Sequence, residues 1–347
     1  MLDAMRKKLP VSVLLRGMFL CVAALLLAAP GNMIAQSHEG QPEKVTFQVI
    51  TPPDPNFIPM SVLTAKAAEF MPGVGVEMVM APSGDPSAMR AMLYSKSADF
   101  ALFSVLGGSR FYAAGLTDLS LVGVHVWKGV HLVARESVTD VRQLDGERVI
   151  AVPAIMTPSH MVSTFALQKM GVRPDYVSGG GGPVLMAQLS RPENAPMAFV
   201  APEPMVSIIL NRQESEGWPV RYRVLMDSQA AASPETGETP LGGLWVVNSE
   251  RVGSRSEAAR EFVEGFRKAI AYVNDPANRE EVSVIVSQAM KDVYRQGAPV
   301  DVYKAMLQSG RLRLDFRGAD VTGDVIVSEL KKIYDVTIDR NLLNPVF

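Results

Sequence analysis

Cysteine is almost absent from this 347-residue chain, which contains a single one, Cys21. One cysteine cannot form a disulfide within the chain, and Cys21 lies in an N-terminal apolar stretch that we expect to be removed. Without that stretch the chain has no thiol nucleophile and no thiolate ligand for a metal. The sequence therefore argues against a disulfide-stabilised fold and against cysteine-dependent catalysis.

An excess of basic residues is also missing. The chain has 34 Lys and Arg against 36 Asp and Glu, a formal net charge of −2, and no basic face stands out. Proteins that bind nucleic acid usually carry such a face, so we expect no nucleic-acid partner. After the first 30 residues, no apolar run approaches the roughly 20 residues of a membrane-spanning helix. We therefore expect the exported chain to be soluble.

Patterns typical of catalytic and metal sites are missing too. His125, His131 and His160 are not spaced four residues apart on a helix, and no G-x-S-x-G motif occurs. The glycine run 179–182 lacks both the Lys-Ser/Thr of a phosphate-binding loop and the G-x-G-x-x-G spacing. It is more typical of a turn before a helix at 183–190. We expect no catalytic residue, no metal and no cofactor.

The first 37 residues have the pattern of a signal peptide. Four basic residues lie within the first 16, and an apolar run of about 13 residues follows from Gly17 to Ala29. Ala35-Gln36-Ser37 fits a cleavage site, whereas the residues before Cys21 do not fit a lipoprotein signal. An uncleaved N-terminal anchor is the alternative. We expect a periplasmic protein that is not a lipoprotein.

A strand, a short polar loop and a helix follow one another three times. VTFQVI (45–50) precedes a helix near Ser61, VEMVM (76–80) precedes one near Ser87, and RVIAV (148–152) precedes one at Thr157. This alternation predicts an α/β fold. The first N–H groups of each helix are free, and the helix dipole is positive there. Two α/β halves with such loops facing one crevice would form a small-molecule cleft.

Capping residues in the sequence predict where two helices begin. Thr157 as N-cap, Pro158 in the first turn and Gly171 after the end predict a helix over 158–170. Ser254 and Glu257 have the spacing of a capping box, which predicts that a long helix begins there.

The chain is long enough for two lobes after removal of residues 1–37. Valine-rich strands lead into residues 127–129, and a strand resumes near 241–245, so we expect the chain to cross between lobes at these two places. This predicts a discontinuous first lobe, 44–128 and 244–347, and a second lobe, 129–243.

Four segments carry a resemblance to a known family. They are SADFALFS (97–104), LDGERVIAV within 138–175, NAPMAFVAPEPM (194–205) and the helical 256–281. In order and spacing they resemble the substrate-binding proteins of ABC importers, in the nitrate, taurine, alkanesulfonate and thiamine-precursor group. The resemblance spans most of 44–335. It implies the two-lobed type II periplasmic-binding-protein fold, with a cleft between lobes joined by two hinge crossings.

Candidate ligand-binding residues lie in the loops that would face this cleft. Thr157, Pro158 and Ser159 offer hydroxyls and helix N–H groups to an anionic or carbonyl oxygen. Thr157 as a cap of its own helix is the alternative. The other candidates are Asn56, Phe57, Ser83, Gly84 and Ser104, for which a plain turn or loop is the alternative, and Glu203.

The resemblance implies a binding protein, not an enzyme. It would capture a small anionic or heterocyclic ligand by hinge closure and deliver it, as a monomer, to an ABC permease and ATPase in the membrane. A ligand-sensing subunit for another membrane partner is an alternative. A third is an enzyme like those that make the thiamine pyrimidine, whose His- and Cys-rich equipment this chain lacks.

Overall fold

A computed structural model describes residues 44–81, 86–180, 182–295, 297–345 and 347 of the chain. The predicted signal peptide, 1–37, and the candidates Ser83 and Gly84 lie outside these residues. Among the described residues, helices and strands alternate along most of the chain, which confirms the predicted α/β class.

The strands of the described residues are short and fall into two sheets. In chain order they are β1 Val45–Thr51, β2 Val74–Met80, β3 Phe100–Ser104, β4 Ser120–Lys128, β5 Val130–Arg135, β6 Arg148–Ala151, β7 Asp175–Ser178, β8 Ala198–Pro202, β9 Tyr222–Asp227, β10 Gly242–Val246 and β11 Arg313–Gly318.

The helices vary from one turn to nearly 20 residues. In chain order they are α1 Phe57–Ala65, α2 Ala67–Phe70, α3 Pro86–Tyr94, α4 Val105–Ala113, α5 Pro158–Lys169, α6 Gly182–Leu189, α7 Met205–Ser215, α8 Ser228–Ala232, α9 Ser249–Gly253, α10 Ser256–Asn274, α11 Arg279–Tyr294, α12 Val300–Gln308 and α13 Ala319–Tyr334. Short 3₁₀ turns occupy Val141–Leu144, Pro276–Asn278 and Arg340–Leu343.

The first sheet has the strand order β11-β4-β10-β3-β1-β2. β1 runs parallel to β2 and to β3, whereas β10 is antiparallel to its neighbours β3 and β4. Helix α10 covers this sheet with one apolar face, and the Phe262 ring stacks on Phe100 with a centroid distance of 4.5 Å. Phe47 packs edge-on against Phe100 at 5.1 Å, so the aromatic cluster lies at the centre of this half.

The second sheet has the strand order β7-β6-β8-β5-β9. β6 runs parallel to β7 and β8, and β5 is antiparallel to β8 and β9. A second hydrophobic cluster includes the buried side chains of Phe199, Trp218 and Tyr222. This cluster belongs to the second sheet, whereas the larger cluster of the first sheet also includes Leu132, Val149 and Val200 of the second.

The chain passes between the sheets twice, and one buried side chain holds both passages. Gln229, in α8, accepts through Oε1 from the N–H groups of Gly129 at 2.6 Å and Val130 at 3.0 Å, between β4 and β5. Its Nε2 donates to the carbonyl oxygens of Trp127 at 2.8 Å and Thr239 at 3.2 Å, the latter on the passage that leads to β10. This amide therefore ties the two connecting segments to each other.

One predicted helix start needs correction, and one predicted helix end agrees with the structure. The predicted capping box does not form: α10 begins at Ser256 and its N-cap, Arg255, makes no side-chain capping bond. Instead Asn248 caps the short helix α9, accepting from the Arg251 N–H at 3.1 Å, so the chain turns before Ser254. Helix α5 ends at Lys169, and Gly171 then adopts a φ of +76°, as the predicted glycine stop requires.

Candidate functional site

Four strand-to-helix turns end at one cavity of about 1020 Å³. The turns are β1–α1, β3–α4, β6–α5 and β8–α7. Because β1 is parallel to β3, and β6 to β8, the carboxyl ends of each pair lie at one edge of their sheet. The cavity therefore lies where the ligand-binding crevice of an open α/β sheet is expected, and loops of both sheets line it.

The turn before α1 places a carboxyl group in the cavity wall. Asp54 Oδ1 accepts from the Asn56 N–H at 2.9 Å and from Asn56 Nδ2 at 2.7 Å. Burial raises the pKa of Asp54 to about 7, while the hydrogen bonds from Asn56 act in the opposite direction. Asn56 is itself buried, and its Oδ1 packs so close to Gly242 that a Cβ there would lie 2.3 Å from it. Only glycine fits at residue 242 without moving this amide.

Phe57, the first residue of α1, points away from the cavity. Its ring is buried and lies edge-on against Tyr294, with a centroid distance of 5.0 Å. The Tyr294 hydroxyl donates to the Thr51 carbonyl at the end of β1. Phe57 therefore packs behind the turn, and it is not among the residues that line the cavity.

Ser104, at the end of β3, is a cap of α4. Its Oγ accepts from the Gly107 N–H at 3.0 Å, and its backbone is extended, as at a regular N-cap. Ser104 lines the cavity, but its hydroxyl oxygen is already bound to its own helix.

The beginning of α5 differs, because Thr157 does not cap it with its side chain. Thr157 Oγ1 donates backwards to the Ala154 carbonyl oxygen at 2.7 Å. Pro158 follows in the first turn, and Ser159 is buried, with 5% of its surface exposed. The Ser159 hydroxyl has no hydrogen-bond partner among the described residues, and all three residues line the cavity. The first turn of α5 thus offers a hydroxyl and helix N–H groups that no side chain of the described chain occupies.

Glu203 closes the beginning of α7. Its Oε2 accepts from the Ser207 N–H at 3.1 Å, and its Oε1 pairs with Arg311 Nε at 2.7 Å. Arg311 also donates to Ser207 Oγ at 2.7 Å, and its carbonyl oxygen lies 3.0 Å from His131 Nε2. Arg311 lies between α12 and β11, a strand of the first sheet. The fully buried Glu203 carboxylate therefore connects α7, beside the second sheet, to the segment that leads into β11.

The remaining walls of the cavity are largely apolar. Five methionines line it together with Phe103, Phe111 and Ile208: Met89, Met156, Met186, Met205 and Met290. Methionine side chains are flexible and polarisable, so such walls can adapt to ligands of different shape. This agrees with a methionine content of 19 in the whole chain.

The Arg110 side chain connects the two sides of the cavity. Arg110, in α4, donates from a terminal guanidinium nitrogen to the Met156 carbonyl oxygen, 3.1 Å away in the loop before α5. Met156 itself has a positive φ of +65°, a conformation that is uncommon outside glycine. Two other guanidinium groups, of Arg212 and Arg295, also line the cavity, and Arg212 lies 3.7 Å from the Glu216 carboxylate.

Six of the nine residues predicted from the sequence line this cavity. They are Asn56, Ser104, Thr157, Pro158, Ser159 and Glu203. Contact with a ligand stays a prediction for each of them. Sequence reasoning missed Asp54, although it lies in the same loop as Asn56, because the three prolines around it suggested a surface turn. It also missed Arg110, since nothing in the sequence shows that α4 lies opposite Met156.

The described residues contain no group of three or more His, Cys, Asp or Glu side chains placed to hold a metal ion. No helix within them is long and apolar enough to cross a membrane.

Comparison with known proteins identifies the fold. No protein-family model and no curated protein sequence matches the chain. Among solved structures, an ABC transporter protein from Parabacteroides distasonis matches with a TM-score of 0.64 and 13% identity, over 87% of this chain and 96% of that one. The alkanesulfonate-binding protein of Xanthomonas axonopodis pv. citri, bound to MOPS, matches with a TM-score of 0.62 and 16% identity, over 87% and 97%. The periplasmic aliphatic sulphonate-binding protein of Escherichia coli matches with a TM-score of 0.61 and 18% identity, over 86% and 92%.

These matches cover almost the whole length of each relative, so they compare complete folds. The chain has the two-lobed α/β fold of the solute-binding components of ABC importers, and the predicted fold class is confirmed. At identities below 20% the likeness concerns the fold, because a fold hosts many functions.

Proposed function

We propose that this chain is an extracytoplasmic solute-binding protein that captures a small ligand between two lobes and delivers it to an ABC importer. The observation that carries this proposal is the cavity of about 1020 Å³, lined by turns from both sheets. A volume of this size suits a ligand with ten or more non-hydrogen atoms. The fold, which is that of importer components, supports the same proposal.

The proposed mechanism is closure about the two passages between the sheets. We place the first lobe at 44–128 and 244–347 and the second at 129–243, so that Gln229 ties the hinge together. The bond from Arg110 to the Met156 carbonyl then joins the lobes at the cavity and belongs to the closed form. A ligand that contacts turns of both lobes would favour that form.

The proposed binding point for a ligand oxygen is the first turn of α5. The buried Ser159 hydroxyl and the free helix N–H groups are donors for which no described residue supplies an acceptor, and the positive end of the helix dipole lies there. An anionic oxygen or the carbonyl oxygen of a heterocycle would satisfy them. Glu203 is less available, because its carboxylate already binds its own helix and Arg311, and the Ser104 hydroxyl is held at its own helix by the bond that its oxygen accepts.

The test begins with the protein purified from its native envelope, analysed by native mass spectrometry for a solute that remains bound. We expect a molecule of a few hundred daltons, and a smaller radius of gyration in X-ray scattering when it is added back to the emptied protein. The same sample should lack residues up to about Ser37. If no solute is found and a broad metabolite panel leaves both the melting temperature and the radius unchanged, the proposal is wrong.

A further inference from the structure

Two carboxyl groups line the described part of the cavity, and only one of them has a cationic partner. Glu203 is paired with Arg311 at 2.7 Å. Asp54 forms no ion pair within the described residues, and its side chain is partly exposed where the cavity begins. The two carboxylates therefore differ: Arg311 neutralises that of Glu203, and no residue that the structure describes neutralises that of Asp54.

The hydrogen bonds of Asp54 use one of its two oxygens. Both bonds from Asn56 reach Oδ1, at 2.9 Å and 2.7 Å. The N–H of Asp54 itself also lies near the carboxyl group but binds the Pro52 carbonyl oxygen at 2.9 Å, and no other described residue donates to Oδ2. Taking a carboxylate out of water without a counter-ion is costly, so an isolated one in an apolar wall is unusual. Oδ2 is thus an acceptor on the cavity surface that the described chain leaves without a donor.

The surrounding groups do not cancel this charge. Burial raises the pKa of Asp54 to about 7, and no basic side chain lowers it. The nearby Tyr294 hydroxyl has its pKa raised by burial and, in addition, by the charge of Asp54. Three guanidinium groups line the cavity as well, of Arg110, Arg212 and Arg295, but none of them forms an ion pair with Asp54 among the described residues.

We propose that the ligand carries a cationic nitrogen, such as an ammonium, an amidinium or a protonated ring nitrogen, that binds Asp54 while an apolar body lies against the methionine-lined walls. This inference rests on the proposed function. Of the two ligand chemistries expected from the sequence, anionic or heterocyclic, it favours a nitrogen heterocycle or another organic cation. A nitrogen at Oδ2 would supply the missing donor and the missing counter-charge together.

The test uses three indoles of nearly equal size that differ in the charge at the end of the side chain. Tryptamine is a cation, tryptophol is neutral and indole-3-propionate is an anion, and each is titrated by calorimetry at about pH 8. We expect tryptamine to bind at least about tenfold more tightly than tryptophol, and indole-3-propionate to bind more weakly than both. The three probes share the apolar body, so the difference isolates the charge.

Asp54→Asn is the decisive variant, because its side-chain oxygen can still accept from the Asn56 N–H and keep the turn. This variant should bind tryptamine no more tightly than it binds tryptophol. Glu264→Gln is the matched control, since Glu264 is an exposed residue of α10 outside the cavity lining, and it should leave all three affinities unchanged. Equal affinities of the cation and the anion, an unchanged tryptamine affinity in Asp54→Asn, or no binding of any probe at millimolar concentration would overturn the inference.

The unmodified protein provides a second test if Asp54→Asn does not fold. The ammonium of tryptamine stays protonated between about pH 6 and pH 8, and Asp54 ionises in this range. Burial lowers the pKa of His131 and of His160 below the ordinary value of 6.5, which moves their titration towards the lower end of this range, and tryptophol reports any change that they cause. We expect tryptamine to bind about tenfold more tightly at pH 8 than at pH 6, and tryptophol to bind equally. A flat profile for tryptamine refutes the role of Asp54.

Failure of this inference is separable from failure of the proposed function. If the solute recovered from the envelope compacts the protein but is an anion that Asp54→Asn binds normally, the binding function stands and the inference is wrong. If no solute compacts the protein, the binding function itself is wrong.

Discussion

The turns at α4 and α7 differ from the turn at α5, although all three follow a buried strand and line the same cavity. At α4 and α7, a side chain of the turn accepts from a helix N–H: Ser104 from Gly107 and Glu203 from Ser207. At α5, Thr157 donates to Ala154 instead, and the first N–H groups of the helix meet no side-chain acceptor of the described chain.

This difference distinguishes a structural cap from a candidate binding point. A capped helix already has a side-chain acceptor for one of its first N–H groups, so fewer donors remain there for a ligand oxygen. An uncapped helix that begins at a cavity retains donors that water or a ligand must satisfy. The same strand–loop–helix pattern therefore serves stability at α4 and α7, and we propose that it serves binding at α5.

The largest expected effect is at α7. Glu203→Gln removes the charge that neutralises Arg311 and should lower the free energy of unfolding by about 3 kcal/mol, because a guanidinium then remains partly buried without its partner. Denaturant unfolding measures this. The matched control is Asp324→Asn, which breaks an ion pair with Arg340 in which both side chains are mostly exposed, and little change is expected. Equal effects of the two substitutions would show that the buried pair does not hold α7 in place.

The next effect concerns binding at α5. Ser159→Ala should weaken binding of the recovered solute by about 1–3 kcal/mol, since the Ser159 hydroxyl no longer donates to the desolvated ligand oxygen. Thr157→Val alone should change the affinity little, because the Thr157 hydroxyl donates to the Ala154 carbonyl oxygen. Ser104→Ala, at the capped helix of the same cavity, should leave the affinity nearly unchanged. Calorimetric titration at a temperature where all variants are folded distinguishes them. An equal loss of affinity in Ser104→Ala would remove the distinction between capped and uncapped turns.

A smaller effect is expected at α1, where Asp54 titrates. The pKa of Asp54 is raised from 3.8 to about 7, so the folded chain holds a proton that the unfolded chain releases in this range. The free energy of unfolding should therefore fall as pH rises from about 4 to 7 and then level off. Asp54→Asn cannot ionise at this residue, so it should be more stable than the unmodified protein by about 2 kcal/mol at about pH 8. This is less than the whole pKa shift would give, because the side chain is partly open to the cavity. The difference between the two proteins, measured against pH, cancels the contribution of other groups, and a constant difference would contradict the raised pKa.

The sequence was informative where local chemistry decides the structure. The Thr157-Pro158 start and the Gly171 stop of α5 were predictable, because proline and glycine restrict the backbone directly. The predicted capping box at Ser254 was wrong, because Asn248 caps a short helix that ends just before Ser254. A pattern of four residues does not show whether another helix precedes it.

The candidate site could be predicted only in part, because its decisive contacts join distant residues. The loops that carry Asn56, Ser104 and Thr157 follow from the strand–loop–helix pattern. That Arg311 neutralises Glu203, 108 residues away along the chain, does not. The importance of Asp54 likewise depends on burial, and burial follows from tertiary packing that the sequence of its loop does not encode.

The smallest expected effect tests the caps directly. Ser104→Ala should lower the free energy of unfolding by about 1 kcal/mol, because the Gly107 N–H loses its acceptor. Thr157→Val should cost less than that, since Thr157 holds no helix N–H and its bond to the Ala154 carbonyl lies within one loop at the cavity, where water can replace it. Both are measured by denaturant unfolding in the absence of solute. If Thr157→Val costs as much as Ser104→Ala, Thr157 caps α5 in solution, and the donors proposed for the ligand are occupied by the protein itself.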